Sequence, residues 1–208
     1  MTSREISTSQ VFFTLVLAAV FWYLIFSAQL FNFWLSMAVA ASVLAGLAVF
    51  LQGPPVAKKD FHVNSLLLGV AAAVILYLLF WLGYTISQWL FSFAQGQVHS
   101  IYQIRAEGRP LLIALVLLFI TSPAEEIFWR GFIQKWAMGR YGELKGWLLG
   151  SLIYAGVHLS SGNFMLVMAA LVAGLFWGWL YWRTKNLAPC IISHCLWTVG
   201  IFLLFPVM

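Results

Sequence analysis

Acidic side chains are scarce in this chain. Only 6 of 208 residues are Asp or Glu, and charged residues of both signs make up 8%. A water-soluble domain carries about 25% charged residues, so a polar coat over a soluble core is excluded. Cysteine is scarcer still. Cys190 and Cys195 are the two present, both in or beside the last apolar segment, where they read as small apolar filler. Two such residues exclude a disulfide framework. The 11 Lys and Arg residues give a net charge of +5, but they lie scattered in short loops with no continuous basic stripe. That distribution argues against a nucleic-acid partner. The apolar run at 10–28 has no small-residue cleavage site behind it and is followed by further runs, so it reads as a span and not as a signal peptide.

What fills the chain instead is hydrocarbon. Hydrophobic residues make up 63% and the mean hydropathy is +0.94. There are 11 Trp, 7 Tyr and 18 Phe, many near segment ends, as interfacial aromatic belts place them. The expected fold class is all-α: a polytopic transmembrane helix bundle in a lipid bilayer. A crossing helix needs about 20 apolar residues. Segments at 11–27, 31–51, 65–91, 110–136, 146–159, 164–182 and from 188 onward meet or approach that length. Seven spans are expected, or eight if the mixed polar stretch 92–109 dips into the membrane. The chain divides into 1–109, which carries no recognisable motif, and 110–208, which carries the chemistry.

With the N-terminus in the cytoplasm, the cytoplasmic loops hold Arg4, Lys58, Lys59, Lys135, Arg140, Lys145, Arg183 and Lys185, against Arg105 and Arg109 opposite. This asymmetry follows the positive-inside rule. Gly142, Gly146 and Gly150 recur four apart, as do Gly174 and Gly178. Such stripes let membrane helices approach closely, so the fifth and sixth spans are expected inside the bundle.

Two of the six acidic residues, Glu125 and Glu126, are adjacent in one of the most apolar stretches, with Arg130 just beyond. Charge inside a membrane is costly and marks function by default. Residues four apart share a helix face, so Glu126 pairs with Arg130. Glu125 points about 100° away and is left for chemistry. His158 follows Tyr154 by four residues on the fifth span, and His194 precedes Thr198 by four on the last. Counted from the loops near Lys135, Lys145 and Asn186, Glu125, His158 and His194 lie roughly 12–20 Å deep. They can meet at one depth.

Two chemistries fit. Glu125 and His158 can polarise a water that attacks a peptide carbonyl, with His194 and Thr198 stabilising the oxyanion. Alternatively, the histidines and a glutamate can bind zinc, which activates the water. The chain has no His-Glu-x-x-His helix, so zinc would need ligands from separate spans. A serine enzyme is disfavoured, because Ser193 adjoins His194 on a helix and no Gly-x-Ser-x-Gly turn is present.

These motifs resemble the CAAX prenyl endopeptidase and bacteriocin-processing family of intramembrane proteases. The family's Glu-Glu-x-x-x-Arg reads here Glu125, Glu126 and Arg130; its aromatic-x-x-x-His reads Tyr154 and His158; its His-x-x-x-Asn or Asp reads His194 and Thr198. The stretch from Gly174 to His194 is similar to the segment that leads into the family's last motif. The resemblance covers roughly 110–205. It implies about eight helices, Glu125 as general base working with His158, Glu126 paired to Arg130, and His194 with its i+4 partner as oxyanion stabilisers, without a metal. Tyr154 replaces the more usual Phe. Thr198 replaces Asn or Asp and offers a shorter hydroxyl in place of an amide.

The expected function is an intramembrane endopeptidase acting on a membrane-embedded or lipid-modified peptide or protein, in a bacterial inner membrane with the N-terminus cytoplasmic. No cofactor is expected, with zinc as the alternative. A non-enzymatic membrane protein that acts by binding is the reading that the Thr198 departure favours. A proton-coupled transporter would show pseudo-symmetry between halves, which the segment pattern lacks.

Overall fold

The computed structural model describes residues 6–208, so Arg4 lies outside the described residues. Eight helices account for the fold, and no strand occurs among the described residues. They are α1 (Thr8–Ala28), α2 (Phe33–Gln52), α3 (Val63–Leu90), α4 (Ala94–Gln103), α5 (Pro110–Tyr141), α6 (Glu143–Gly156), α7 (Phe164–Thr184) and α8 (Ala188–Leu204). α1, α2, α3, α5 and α7 are long and apolar enough to cross a membrane. This is an integral membrane protein.

α6 continues as a tighter turn over Val157–Ser161, and it runs with α8 between the same two ends of the bundle. At one end, Asn186 donates to the Asp60 carbonyl and Lys185 pairs with Glu143. At the other, Asn32 donates to the Glu107 carbonyl, Asn163 to that of Gln97 and Ser27 to that of Ser160. Seven helices thus alternate between the ends, while the stretch 92–109 folds as the amphipathic helix α4 plus a short turn at the second end.

α5 is the axis of the bundle and the most buried of the five long helices. It touches α2, α6 and α8, while α1 packs on α2 and on the end of α6. α8 lies along α3. One apolar core draws Val11, Trp22 and Leu44 together with Phe128, Phe132 and Tyr154, so residues before and after position 109 share a single interior.

α5 is not wound uniformly. Pro123 has no N–H to donate, and its ring crowds the carbonyl four residues back. The helix widens into a π turn over Leu117–Thr121 just before it, and again over Trp129–Gln134. Between these lie Ser122–Phe128, wound as ordinary α-helix and carrying both glutamates. π turns inside helices recur at functional sites.

Four of the five stripe glycines sit where helices meet, while Gly142 is a positive-φ turn residue facing open space. A Cβ on Gly146 would collide with the backbone of Met138 and Ala137, and one on Gly178 would press on Trp147 and Gln134. An Ala gains about 1 kcal/mol of helix preference over Gly. Overpacking costs about 1–3 kcal/mol, and a backbone obstacle cannot rotate away. Gly146→Ala should therefore lower stability by about 1–2 kcal/mol net, read as a lower thermal midpoint in detergent. Gly139→Ala, where a Cβ meets nothing within 4 Å, is the control.

Candidate active site

The two adjacent glutamates have separate partners. Glu126 is fully buried, and its Oε1 accepts from Arg130 Nη1 at 2.9 Å and meets His194 Nδ1 at 2.8 Å. α5 supplies the first two groups, one helical turn apart, and α8 delivers the third. Glu126 Oε2 and the neighbouring Ser122 hydroxyl are buried with no hydrogen-bond partner among the described residues. Glu125 is buried too, and its Oε2 accepts from the Tyr154 hydroxyl of α6 at 3.2 Å. It has no cation of its own within ion-pair distance among the described residues.

Arg130 is held on three sides. Its guanidinium lies 4.6 Å from the Tyr154 ring centre and 5.3 Å from that of Trp177, and Nη2 donates to the Ala173 carbonyl of α7 at 3.4 Å. Cation–π contacts of this kind strengthen when desolvated. Trp177 also stacks on His194, with centroids 3.9 Å apart and planes 20° apart, while its indole donates to Ser193 Oγ at 3.1 Å. Ser193 therefore belongs to the scaffold of the imidazole. With Nδ1 turned to a carboxylate, the acceptor, His194 carries a proton on Nδ1. No described group hydrogen-bonds its Nε2.

His158 is placed differently. Its Nε2 accepts from the Trp22 indole at 3.0 Å, and its Nδ1 lies 2.8 Å from the Tyr154 carbonyl. An accepting Nε2 puts the proton on Nδ1, which then donates to that carbonyl. Both nitrogens are occupied, and no hydrogen bond joins His158 to Glu125. Tyr154 lies between them, bonded to Glu125 by its hydroxyl and to His158 by its carbonyl. Thr198 shares a face with His194, but its hydroxyl donates to the His194 backbone carbonyl at 2.8 Å. Such back-bonding to the i−4 carbonyl is common for Thr within helices.

Glu125, Glu126, Arg130, Tyr154 and His194 thus form one connected cluster, with His158 one residue removed behind Tyr154. Trp22 and Trp177 were absent from the sequence-based set. Trp22 reads as a belt residue near a span end, yet it is buried and reaches a partner 136 positions away. Trp177 lies within the glycine stripe of α7, and that stripe was its available signal. A zinc shell is not assembled: among the described residues no three His, Cys, Asp or Glu side chains converge to hold a metal.

Residues 107–200 match the family model described as Rce1-like, the type II CAAX prenyl endopeptidase Rce1-like family. The matched region holds every sequence-predicted site residue and excludes Trp22. Curated proteins and solved structures gave no match.

Proposed function

We propose that this membrane protein, whose residues 107–200 belong to the Rce1-like type II CAAX prenyl endopeptidase family, hydrolyses a peptide bond in a membrane-associated substrate with water activated by Glu125. The observation that carries the reading is the division of the glutamate pair. Glu126 is tied to Arg130 and His194, whereas Glu125 is held only by a neutral phenol.

In this scheme Glu125 takes a proton from a water, and the resulting hydroxide attacks the substrate carbonyl carbon. The carbonyl oxygen becomes an oxyanion. His194, held at Nδ1 by Glu126, turns its Nε2 to that oxyanion and stabilises it with a hydrogen bond. The C–N bond then breaks, and Glu125 returns its proton to the leaving amine. Tyr154 orients Glu125. Arg130 and Trp177 fix Glu126 and the imidazole ring. His158 and Thr198 act here as positioning groups, one anchoring the Tyr154 turn to Trp22 and the other bracing the turn that carries His194. No cofactor takes part.

The site lies among apolar helices, which supports a membrane-embedded or lipid-modified peptide as substrate. Lys58 lies in the connection after α2, and Lys135, Arg140, Lys145 and Arg183, expected in loops, lie instead in the helix turns near the same end of the bundle, which supports a cytoplasmic N-terminus. A bacterial inner membrane is the setting we assign. A second reading, a membrane protein that acts by binding, is favoured by Thr198, whose hydroxyl is committed to its own helix.

The test is cleavage of a panel of lipidated and transmembrane peptides by the purified protein in water enriched in oxygen-18. The expected result is two products, with the heavy isotope in the new carboxyl group. Intact peptides across the panel count for the binding reading, and a product without the isotope rules out hydrolysis.

A further inference from the structure

Two hollows meet at Tyr84. The first is an apolar cavity of about 440 Å³ between the last turns of α3, the start of α7, the end of α8 and the inner face of α4. Phe80, Gly83, Ile101, Ala169, Trp197 and Ile201 contribute to its walls. The second, about 480 Å³, lies on the outward side of α4 and is lined by Tyr84, Gln95, Gly96, His99 and Met208. Arg105 lies behind the wall of the apolar cavity, its guanidinium 5.0 Å from the ring of Tyr102 and donating to the carbonyl of Phe202, both wall residues.

Shape and chemistry restrict the occupant. The cavity follows α3 from Leu79 to Phe91, about 18 Å at 1.5 Å per residue. One leaflet of a ~30 Å hydrocarbon core is about as deep. Leu79, Ile86 and Leu90 on its rim are exposed, and α3 and α7 are membrane-crossing lengths, so the opening meets hydrocarbon. A space this apolar offers water almost no hydrogen-bond partners. The adjoining polar hollow lies at the bundle end, where α3 stops and α4 begins. An apolar slot one leaflet deep, with a recess holding Gln95 and His99 at its end and the Arg105 guanidinium against its Tyr102 and Phe202 walls, is complementary to an amphiphile.

We propose that this crevice seats one phospholipid of the surrounding bilayer, with an acyl chain in the apolar cavity and the head group at the recess over α4. The seat does not rest on the peptidase reading. Its occupant touches Trp197, which packs edge-on against Phe80 at 4.6 Å and against Trp177 at 5.4 Å. Trp177 in turn stacks on His194. The bound chain therefore lies two aromatic rings from the imidazole by this route, and it also meets Thr198, one turn beyond His194 on α8.

The experiment places the full chain in bilayer discs doped with a phospholipid carrying a photoreactive diazirine on its acyl chain, then maps adducts by mass spectrometry after irradiation. Adducts should concentrate several-fold on the cavity walls, around Gly83, Ile101 and Ala169, relative to the bilayer-exposed Phe50 and Phe119. A Cβ at Gly83 meets nothing within 4 Å. Gly83→Phe should therefore fold, fill the cavity and remove wall adducts while those at Phe50 and Phe119 persist. Ala169→Phe should do the same from the opposite wall. Wall adducts no more frequent than those at Phe50 would overturn the proposal. So would labelling that survives both substitutions, or labelling by a photoreactive free fatty acid and not by the phospholipid.

Discussion

Arg130→Met is expected to destabilise the protein by about 3–5 kcal/mol, the range for removing one partner of a buried ion pair. The wild-type guanidinium is buried and answers four neighbours at once: the Glu126 carboxylate, the Ala173 carbonyl and the faces of Tyr154 and Trp177. Met fills similar space without the charge or the donors. Glu126 then keeps only His194, and Glu126 Oε2 already has no partner among the described residues. An uncompensated carboxylate in such surroundings costs several kcal/mol. Denaturant titration in mild detergent reads the loss. The double variant Arg130→Met with Glu126→Gln should recover part of it, because the unpaired charge is gone. No recovery would mean that the aromatic packing of Arg130 matters more than its pairing.

Glu125→Gln is expected to have the opposite profile. The replacement is nearly isosteric, and an amide oxygen can still accept from the Tyr154 hydroxyl. Stability should change by less than about 1 kcal/mol, within the range of a single neutral hydrogen bond. An amide cannot take a proton from water, so turnover should fall by about 10²–10⁴, the usual contribution of a positioned general base. The two neighbours in sequence should thus separate cleanly, with Glu125 needed for rate and Arg130 with Glu126 needed for the fold.

The helical architecture was readable because membrane spans announce themselves by length and apolarity, and α5 begins at Pro110 as the pattern predicts. The Glu126–Arg130 pair followed from helical spacing alone, and Gly146, Gly150, Gly174 and Gly178 marked the tight meeting of α6 with α5 and α7, whereas Gly142 serves the turn between helices. Long-range pairing was not readable. Trp22 meets His158 across the bundle, and nothing local in α1 specifies that partner. The π turns flanking the glutamates follow from Pro123 and packing together, and only the proline is visible in the sequence. Thr198 was placed on the correct face, but the nearest acceptor for a helical Thr hydroxyl is its own i−4 carbonyl. His194 was expected beside the oxyanion with Thr198, and no contact with Glu126 was foreseen. Instead, Glu126 claims Nδ1, a contact between residues 68 positions apart.

The most direct measurement is the single-turnover rate of peptide hydrolysis by folded Glu125→Gln protein beside wild type, each with its melting curve. The account predicts an unchanged melt with a rate lower by about 10²–10⁴. A folded Glu125→Gln protein that cleaves at the wild-type rate would contradict it and remove Glu125 from the chemistry.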